Sequence, residues 1–290
     1  MSTDSDPAWT VQKMLGWMAK DLAALGVSSP RLDAELLLSH ALGCDRVRLY
    51  MDMPRPLEPE ELAAVKALVV RRRKREPVAY ILGRREFYRR WFEVTQDVLI
   101  PRPETELLVD RALEALPAGE GRALDLCTGS GAIAISLALE RPELQVDATD
   151  LSEAALAVAR RNAEQLGASE RVQFFAGDLF EALRGRDARY ALIAANPPYV
   201  GEAEWPSLAP ELAHEPRMAL LAGQDGLDVL KRLCAEVADY LAPSGVALFE
   251  LGVGQADSVR ALLAADVRLE DVQAHKDLAG IERIVQARKR

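Results

Sequence analysis

The sequence predicts an α/β protein in which a small all-helical domain precedes a doubly wound sheet. Residues 7 to about 82 carry apolar side chains at helical spacing, with no strand-like alternation. From residue 121 onward, short apolar segments alternate with helical ones, which implies parallel strands joined by right-handed crossovers. Two strand-like segments, 267–272 and 281–285, end the chain with no helix between them. They indicate an antiparallel pair at the edge of the sheet.

Three long helices are predicted in the N-terminal domain. The first carries apolar residues at helical spacing up to Leu25, and Gly26 follows as a C-terminal stop. Ser29-Pro30 offers an N-cap followed by proline at the first helical position, so a second helix begins there. The third extends from about Pro59. Their apolar stripes are expected to pack against one another.

Residues 85–100 predict a short hairpin, because segments 87–88, 91–94 and 98–100 are aromatic or β-branched. Residues 101–106 form a proline-rich segment that leads into the next helix. The predicted domains are therefore a helical domain, 1–82, a hairpin linker, 83–104, and an α/β domain, 105–290.

Seven strands and three crossover helices are predicted in the α/β domain. The strands before the terminal pair are 123–126, 145–149, 172–176, 190–195 and 246–251. The helices are 131–140, 152–166 and 226–241.

The net charge of −9 is distributed unevenly along the chain. Residues 1–90 hold 16 Lys/Arg and 12 Asp/Glu, whereas residues 91–290 hold 20 and 33. An acidic α/β domain is poorly suited to binding duplex DNA through contacts with many phosphates. The basic run 71–75 is interpreted as a solvated last helical turn that complements the helix dipole, in preference to a nucleic-acid contact.

Cysteine and histidine content argues against disulfide and metal chemistry. The chain has three widely spaced cysteines and three histidines, which fits a reducing cytosol and predicts no metal site. The sequence contains no apolar run long enough to span a membrane. Residues 1–6 are polar and acidic, so no secretory signal is expected there.

A glycine-rich loop follows the first predicted strand of the α/β domain. Gly129-Ser130-Gly131 allows a tight turn and a close backbone approach to a ligand. Residues 129–134 also satisfy G-x-G-x-x-A, the dinucleotide fingerprint, so this pattern alone is ambiguous.

Acidic residues at the ends of three successive strands favour S-adenosylmethionine over a dinucleotide. Asp125 would repel a pyrophosphate but suits an ammonium group. Asp150 can accept hydrogen bonds from ribose hydroxyls. Asp178, followed by Leu179, lies where an adenine amino group could be recognised. Cys127, in the loop, is interpreted as a small buried residue rather than a nucleophile.

The tetrapeptide Asn196-Pro197-Pro198-Tyr199 follows the fourth strand and predicts the binding of a planar amino nitrogen. The Asn196 side-chain oxygen and the Pro197 carbonyl can accept its two N–H groups. The proline pair stiffens the loop, and Tyr199 offers an aromatic face for stacking or for a sulfonium. The tetrapeptide alone does not distinguish an amide from a base amine.

Together these motifs resemble the release-factor glutamine methyltransferases, which methylate the glutamine of the Gly-Gly-Gln motif in bacterial peptide chain release factors. The resemblance covers nearly the whole chain and rests on segments 100–106, 125–131, 196–199 and 214–217. It implies a Rossmann-like seven-stranded methyltransferase sheet, with an antiparallel edge hairpin at the C-terminus. It also implies that the helical domain recognises the substrate.

The resemblance further implies which residues form the site. The cofactor S-adenosylmethionine would be bound by Asp125, Cys127, Thr128, Gly129, Ser130, Gly131, Asp150, Leu179 and Asn196. The substrate glutamine would be bound by the catalytic residues Asn196, Pro197, Pro198 and Tyr199, with Arg102 and Glu104 lining the same pocket. Residues 214–217 are expected to be loop structure rather than catalytic.

Three other interpretations remain open: methylation of a ribosomal-protein glutamine, methylation of an amino group on a nucleic-acid base, and a non-catalytic binding module. The proline-rich segment disfavours the first, and the acidic α/β domain disfavours the second. The intact tetrapeptide disfavours the third. We expect a cytoplasmic monomer that acts on peptide chain release factors and has no membrane or stable nucleic-acid partner.

Overall fold

A computed structural model describes residues 9–116, 119, 121–186 and 188–290. The segment 1–6, in which no secretory signal was expected, lies outside them. The chain forms two compact units that divide between Gly83 and Arg84.

The first unit is all-helical. Its helices are α1 (Val11–Ala24), α2 (Pro30–Ala41), α3 (Arg46–Met51), α4 (Pro59–Arg73) and α5 (Val78–Leu82). Pro30 occupies the first helical position of α2, as predicted, and a capping box of Glu58 and Glu61 begins α4. The short helices α3 and α5 were not predicted, because five or six residues carry too little periodicity to detect.

The apolar stripes of these helices pack against one another, as expected. Leu15, Met18 and Leu22 of α1 are fully buried in the same core as Leu37 and Leu38 of α2. Each fully buried leucine contributes about 1.5–3 kcal/mol to folding.

The basic run at the end of α4 forms ion pairs inside this unit. Arg71 pairs with Glu76, Arg72 with Asp33 and Arg73 with Asp21. These arginines therefore join elements of the helical unit. The prediction of a solvated turn is wrong for Arg72, which is 4% exposed, because its guanidinium pairs with Asp33 inside the unit.

The hairpin consists of β1 (Arg84–Phe87) and β2 (Arg90–Glu93). The sequence assigned it to a linker, but it belongs to the larger unit, because Phe87 and Phe92 are buried in that unit's core. Residues 98–100, predicted as part of the hairpin, form no strand.

A seven-stranded sheet forms the centre of the larger unit, and the predicted fold class is confirmed. Its strands are β3 (Gly121–Leu126), β4 (Leu144–Asp150), β5 (Val172–Ala176), β6 (Tyr190–Ala195), β7 (Leu241–Glu250), β8 (Leu269–Lys276) and β9 (Glu282–Lys289). The order is β5-β4-β3-β6-β7-β9-β8. The first five strands in this order are parallel, and β9 and β8 form the antiparallel edge.

Helices cover both faces of the sheet. One face packs against α6 (Thr105–Ala115), α7 (Ala132–Glu140) and α8 (Glu153–Leu166), and the other against α9 (Asp228–Tyr240) and α10 (Ala256–Ala264). The sequence did not predict α10, a nine-residue helix. Among the described residues, none of the helices combines the length and apolarity needed to cross a membrane.

The strand order places a crevice above the centre of the sheet. The chain runs outward from β3 to β4 and β5, then returns to β6 on the other side of β3. Ligands of open α/β sheets bind at this reversal, beyond the carboxyl ends of the strands.

Candidate active site

Four neighbouring parallel strands end in polar side chains, each of which has one buried atom that lacks a hydrogen-bond partner. In the part of the chain that the structure describes, these atoms are Asp125 Oδ1, Thr149 Oγ1, Asn196 Oδ1 and Glu250 Oε2. They belong to β3, β4, the residue after β6, and β7, which are adjacent in the sheet. Buried polar atoms are normally satisfied, so this group indicates a ligand site.

The glycine-rich loop after β3 contains three residues with positive φ. Cys127, Gly129 and Gly131 have φ of +60°, +56° and +82°. A Cβ on Gly131 would lie 2.8 Å from Ile135 Cδ1, whereas a Cβ on Gly129 would meet nothing within 4 Å. A Cβ on Gly131 would therefore force the Ile135 side chain to move, whereas Gly129 leaves its open side free for a ligand.

Asp125 lies beneath this loop and is fully buried. Its Oδ2 accepts hydrogen bonds from the Thr128 hydroxyl at 2.6 Å and from the Ala134 N–H at 3.1 Å. Burial raises the pKa of this carboxyl to about 7, although the two hydrogen bonds oppose that shift. A cation next to Oδ1 would stabilise the ionised form.

Asp150 ends β4 and accepts two backbone hydrogen bonds. Its Oδ2 accepts from Gly129 N–H at 2.8 Å, and its Oδ1 accepts from Ser152 N–H at 2.9 Å. Burial raises the pKa of Asp150, and the backbone donors partly offset this. Asp178 forms an ion pair with Arg232 at 2.8 Å, and Leu179 beside it has a φ of +49°.

A pocket opens over these strand ends. Of the sequence-predicted residues, its lining includes Cys127, Gly129, Asp150, Asp178, Leu179, Asn196 and Pro198. Asp125, Thr128, Ser130 and Gly131 are buried and do not line the pocket, nor do Pro197 and Tyr199. Burial and neighbouring acids raise the pKa of the Cys127 thiol, which keeps it protonated and unreactive.

Asn196 has one side-chain group hydrogen-bonded and the other, a buried oxygen atom, without a partner among the described residues. Its Nδ2 donates to Thr105 Oγ1 at 3.1 Å, and Asn196 itself lines the pocket. The hydrogen bond to Thr105 leaves Oδ1 as the group available to a ligand donor.

The tetrapeptide loop is anchored at Tyr199. The Tyr199 carbonyl accepts from Gln255 Nε2 at 2.9 Å, and Gln255 Oε1 accepts from Gly252 N–H at 2.9 Å. The Tyr199 hydroxyl lies 3.5 Å from Glu250 Oε1. Burial and the Glu250 charge raise the pKa of Tyr199, so the phenol stays neutral.

Glu250, the last residue of β7, is a buried carboxyl next to the tetrapeptide. Burial raises its pKa to about 7, while a hydrogen bond from Thr105 and the charge of Arg283 act in the opposite direction. Neither Glu250 nor Thr105 was predicted from the sequence. An acid that ends a strand, as Asp125 nearly does in β3, is the signal that could have revealed Glu250.

Glu215 joins two segments that wall the pocket. Its Oε2 accepts from Ile100 N–H at 3.0 Å, and its Oε1 accepts from Arg102 Nη2 at 2.6 Å. Arg102 thus pairs with Glu215 and, like Glu104, does not line this pocket. Glu104 borders a separate groove with Asp110 and Lys276.

The donor set fits the groups of S-adenosylmethionine. Asp125 Oδ1 is a buried anionic atom suited to an ammonium, Asp150 can accept from ribose hydroxyls, and Gly129 leaves open space beside both. The loop presents no basic side chain that would neutralise a pyrophosphate, and two acids surround it.

The raised pKa of Asp125 predicts that cofactor affinity depends on pH. An ammonium placed at Oδ1 would bind the ionised carboxylate, so the affinity should increase as pH rises towards about 7. Below pH 7, it should fall by about threefold to tenfold per pH unit, because binding then requires release of a proton. Calorimetry in two buffers of different ionisation enthalpy measures that proton. Asp125→Asn should abolish the proton release, and its persistence in this variant would contradict the assignment.

Two family models match the chain. The PrmC N-terminal domain matches residues 13–83, and the methyltransferase small domain matches residues 103–232. The second match includes the glycine-rich loop and the tetrapeptide.

Curated relatives match over nearly their whole length. A release factor glutamine methyltransferase of Geobacter sulfurreducens is 45% identical over 99% of this chain and 99% of its own. A protein of the same name from Bordetella pertussis is 48% identical over 92% and 97%. Among solved structures, a methyltransferase from Pyrococcus furiosus has a TM-score of 0.50 at 19% identity, over 68% of this chain and 87% of that one. This structural likeness concerns the fold alone.

Proposed function

The chain belongs to the release factor glutamine methyltransferase family, and from this we propose that Asn196, Pro197, Pro198 and Tyr199 hold the substrate glutamine. The protein is an S-adenosylmethionine-dependent methyltransferase that modifies the glutamine side-chain amide of peptide chain release factors. The observation that carries the residue assignment is the buried, unpartnered Asn196 Oδ1 in the described pocket.

The chemistry explains why this segment is needed. An amide nitrogen is a weak nucleophile, because its lone pair is delocalised into the carbonyl. Asn196 Oδ1 and the Pro197 carbonyl oxygen would accept the two N–H groups of the substrate and fix the direction of the nitrogen. Acceptors that are already in place require little reorganisation at the transition state. Tyr199 would pack its ring against the flat amide.

The cofactor assignment follows the strand ends. We propose that Asp125, Cys127, Thr128, Gly129, Ser130, Gly131, Asp150, Leu179 and Asn196 bind S-adenosylmethionine. When bound, this group supplies an electrophilic methyl on a sulfonium. The residues of the chain align the amide nitrogen for direct displacement, a reaction governed by positioning. Asp125 would pair its Oδ1 atom with the ammonium group of the cofactor. Thr128, Ser130 and Gly131 would act from below the loop by holding its shape.

Transfer of labelled methyl tests the function directly. The protein is incubated with labelled S-adenosylmethionine and each release factor, and the product is analysed by mass spectrometry. We expect one added methyl on the glutamine of the Gly-Gly-Gln motif. Label that survives replacement of this glutamine would refute the assignment. Parallel incubations contain ribosomal proteins or DNA in place of the release factor, and label in one of these instead would support that alternative substrate.

The helical domain, residues 1–82, is proposed to recognise the release factor. Residues 84–290 contain every residue that lines the described pocket, so cofactor binding should not require the helical unit. Deleting residues 1–80 should raise the KM for the release factor more than it lowers cofactor affinity. Steady-state kinetics and calorimetry check this, and unchanged kinetics would contradict it.

We also propose a cytoplasmic monomer that binds no nucleic acid stably. The acidic composition of residues 91–290 and the ion pairs made by the basic run support the absence of a stable nucleic-acid partner. Sedimentation of the purified protein, alone and with RNA, tests the monomeric state and the absence of RNA binding.

A further inference from the structure

We propose that Glu250 and Thr105 are positioning residues that fix the orientation of the Asn196 side-chain amide, so that its oxygen faces the substrate. This inference rests on the proposed function, because it explains how the assigned acceptor is kept in place. It adds two residues that neither the tetrapeptide nor the glycine-rich loop contains.

The first step concerns the hydrogen bond between Asn196 and Thr105. Asn196 Nδ2 donates to Thr105 Oγ1 at 3.1 Å, so the hydroxyl oxygen serves as the acceptor. Thr105 is the first residue of α6 and is 3% exposed, which shields the contact from water. A hydroxyl has a single hydrogen, and that hydrogen must be directed elsewhere while the oxygen accepts.

Glu250 is the acceptor that the structure offers for this hydrogen. It is 2% exposed, its Oε2 atom has no hydrogen-bond partner among the described residues, and its interaction with Thr105 lowers its pKa. The other groups facing Glu250 are the Tyr199 hydroxyl and the charges of Arg283 and Glu104. Arg283 also pairs with Asp277 at 3.2 Å, so its attraction for Glu250 is shared. The ionised carboxylate is an acceptor only, which fixes the direction of donation.

The reverse orientation of Asn196 would oppose the reaction. A protonated Glu250 could donate to Thr105, and the Thr105 hydroxyl would then donate to Asn196 Oδ1. The Asn196 NH2 group would then face the N–H groups of the substrate amide. Two donors cannot form a hydrogen bond, so the substrate amide would not be held. Ionisation of Glu250 therefore selects the orientation that binds substrate, through two successive hydrogen bonds.

The titration has a definite sign. Burial raises the pKa of Glu250 to about 7, so the carboxylate form is present above that pH and is lost below it. At saturating cofactor, the kcat of the wild-type protein should fall as pH drops below about 7. Saturation removes the separate effect of pH on cofactor binding through Asp125.

Three substitutions separate positioning from folding. Thr105→Val removes the hydroxyl at nearly constant volume, and Glu250→Gln allows the Gln side chain either to donate or to accept. Each should lower kcat on the order of 10²-fold, with a much smaller change in cofactor affinity. Thr105→Ser restores the hydroxyl and should recover most of the activity. Glu143→Gln, at an exposed position, serves as the matched control.

Nuclear magnetic resonance (NMR) spectroscopy measures the state of the Asn196 side-chain amide without any enzymatic turnover. The chain contains only two asparagines, Asn162 and Asn196, so labelling with ¹⁵N-asparagine yields two side-chain amide signals. The Asn196 signal should shift between pH 6 and 8 with a midpoint near the pKa of about 7. The Asn162 amide is fully buried and bonds to the backbone of Glu93 and Ser130, so its signal should stay fixed. Glu250→Gln should abolish the Asn196 shift.

The outcomes distinguish this inference from the proposed function. Methylation by the wild type with equal kcat in Glu250→Gln and Thr105→Val would overturn the inference and leave the function intact. An Asn196 signal that still titrates in Glu250→Gln would also overturn it. A wild-type protein that labels no release factor would refute the function itself, whatever the magnetic resonance result.

Discussion

Asn196→Ala is expected to lower kcat by about 10³-fold, the upper range for loss of one preorganised polar contact at a transition state. Affinity for S-adenosylmethionine should stay within about threefold of wild type, since the other strand-end acceptors remain. The substitution removes the oxygen that would accept the substrate N–H and also leaves Thr105 Oγ1 without its donor. The substitution thus removes both the acceptor that aligns the substrate amide and the hydrogen bond to Thr105, which explains the large expected decrease in kcat.

Calorimetry and single-turnover kinetics check this division between binding and turnover. Gln273→Ala, at an exposed position of β8, is the control for substitution as such. A loss of cofactor affinity as large as the loss of kcat would show that Asn196 serves mainly the cofactor, against the role proposed for it.

Gly131→Ala is expected to destabilise the protein by about 2–5 kcal/mol. About 1–2 kcal/mol arises because alanine disfavours the left-handed conformation at φ +82°. A further 1–3 kcal/mol, roughly, arises from overpacking, since the new Cβ would lie 2.8 Å from Ile135 Cδ1 and 3.2 Å from Ala159 Cβ. Displacement of the loop should also weaken cofactor binding.

Gly129→Ala is the matched control for this prediction. Gly129 has φ +56°, but a methyl group added there would meet no atom within 4 Å, so only the backbone cost of about 1–2 kcal/mol applies. Urea unfolding of both variants without cofactor measures the difference. Equal free energies of unfolding would contradict the packing role assigned to Gly131.

The sequence predicted the sheet well because its pattern is strong. Strands that are buried on both faces appear in the sequence as short apolar segments. All seven predicted segments correspond to strands, although β7 begins five residues earlier than expected. Between Leu241 and Val246 the pairing with β6 shifts register, and Ser244 has φ +61°. Such an irregularity leaves no apolar alternation to detect.

The site was only partly predictable. Glycine and acidic residues next to strand ends are visible locally, so the loop and the three acids could be identified. The positive φ of Cys127 and Leu179 could not, because these residue types rarely adopt it. Thr105 and Glu250 are 145 positions apart: β7 beside β6 places Glu250 next to the tetrapeptide, and the packing of α6 on the sheet places Thr105 there. Local sequence does not encode which strands become neighbours.

The Glu215 bridge has a consequence for how the protein folds. Its bonds to Ile100 and Arg102 span 115 and 113 positions, and the Asn196–Thr105 bond spans 91. Contacts of such separation require large loops to close, so they form late and slowly. During synthesis, the pocket wall cannot be completed until the chain has emerged well beyond residue 215. We therefore expect activity to appear only after these long-range contacts have closed, which makes it a sensitive measure of complete folding.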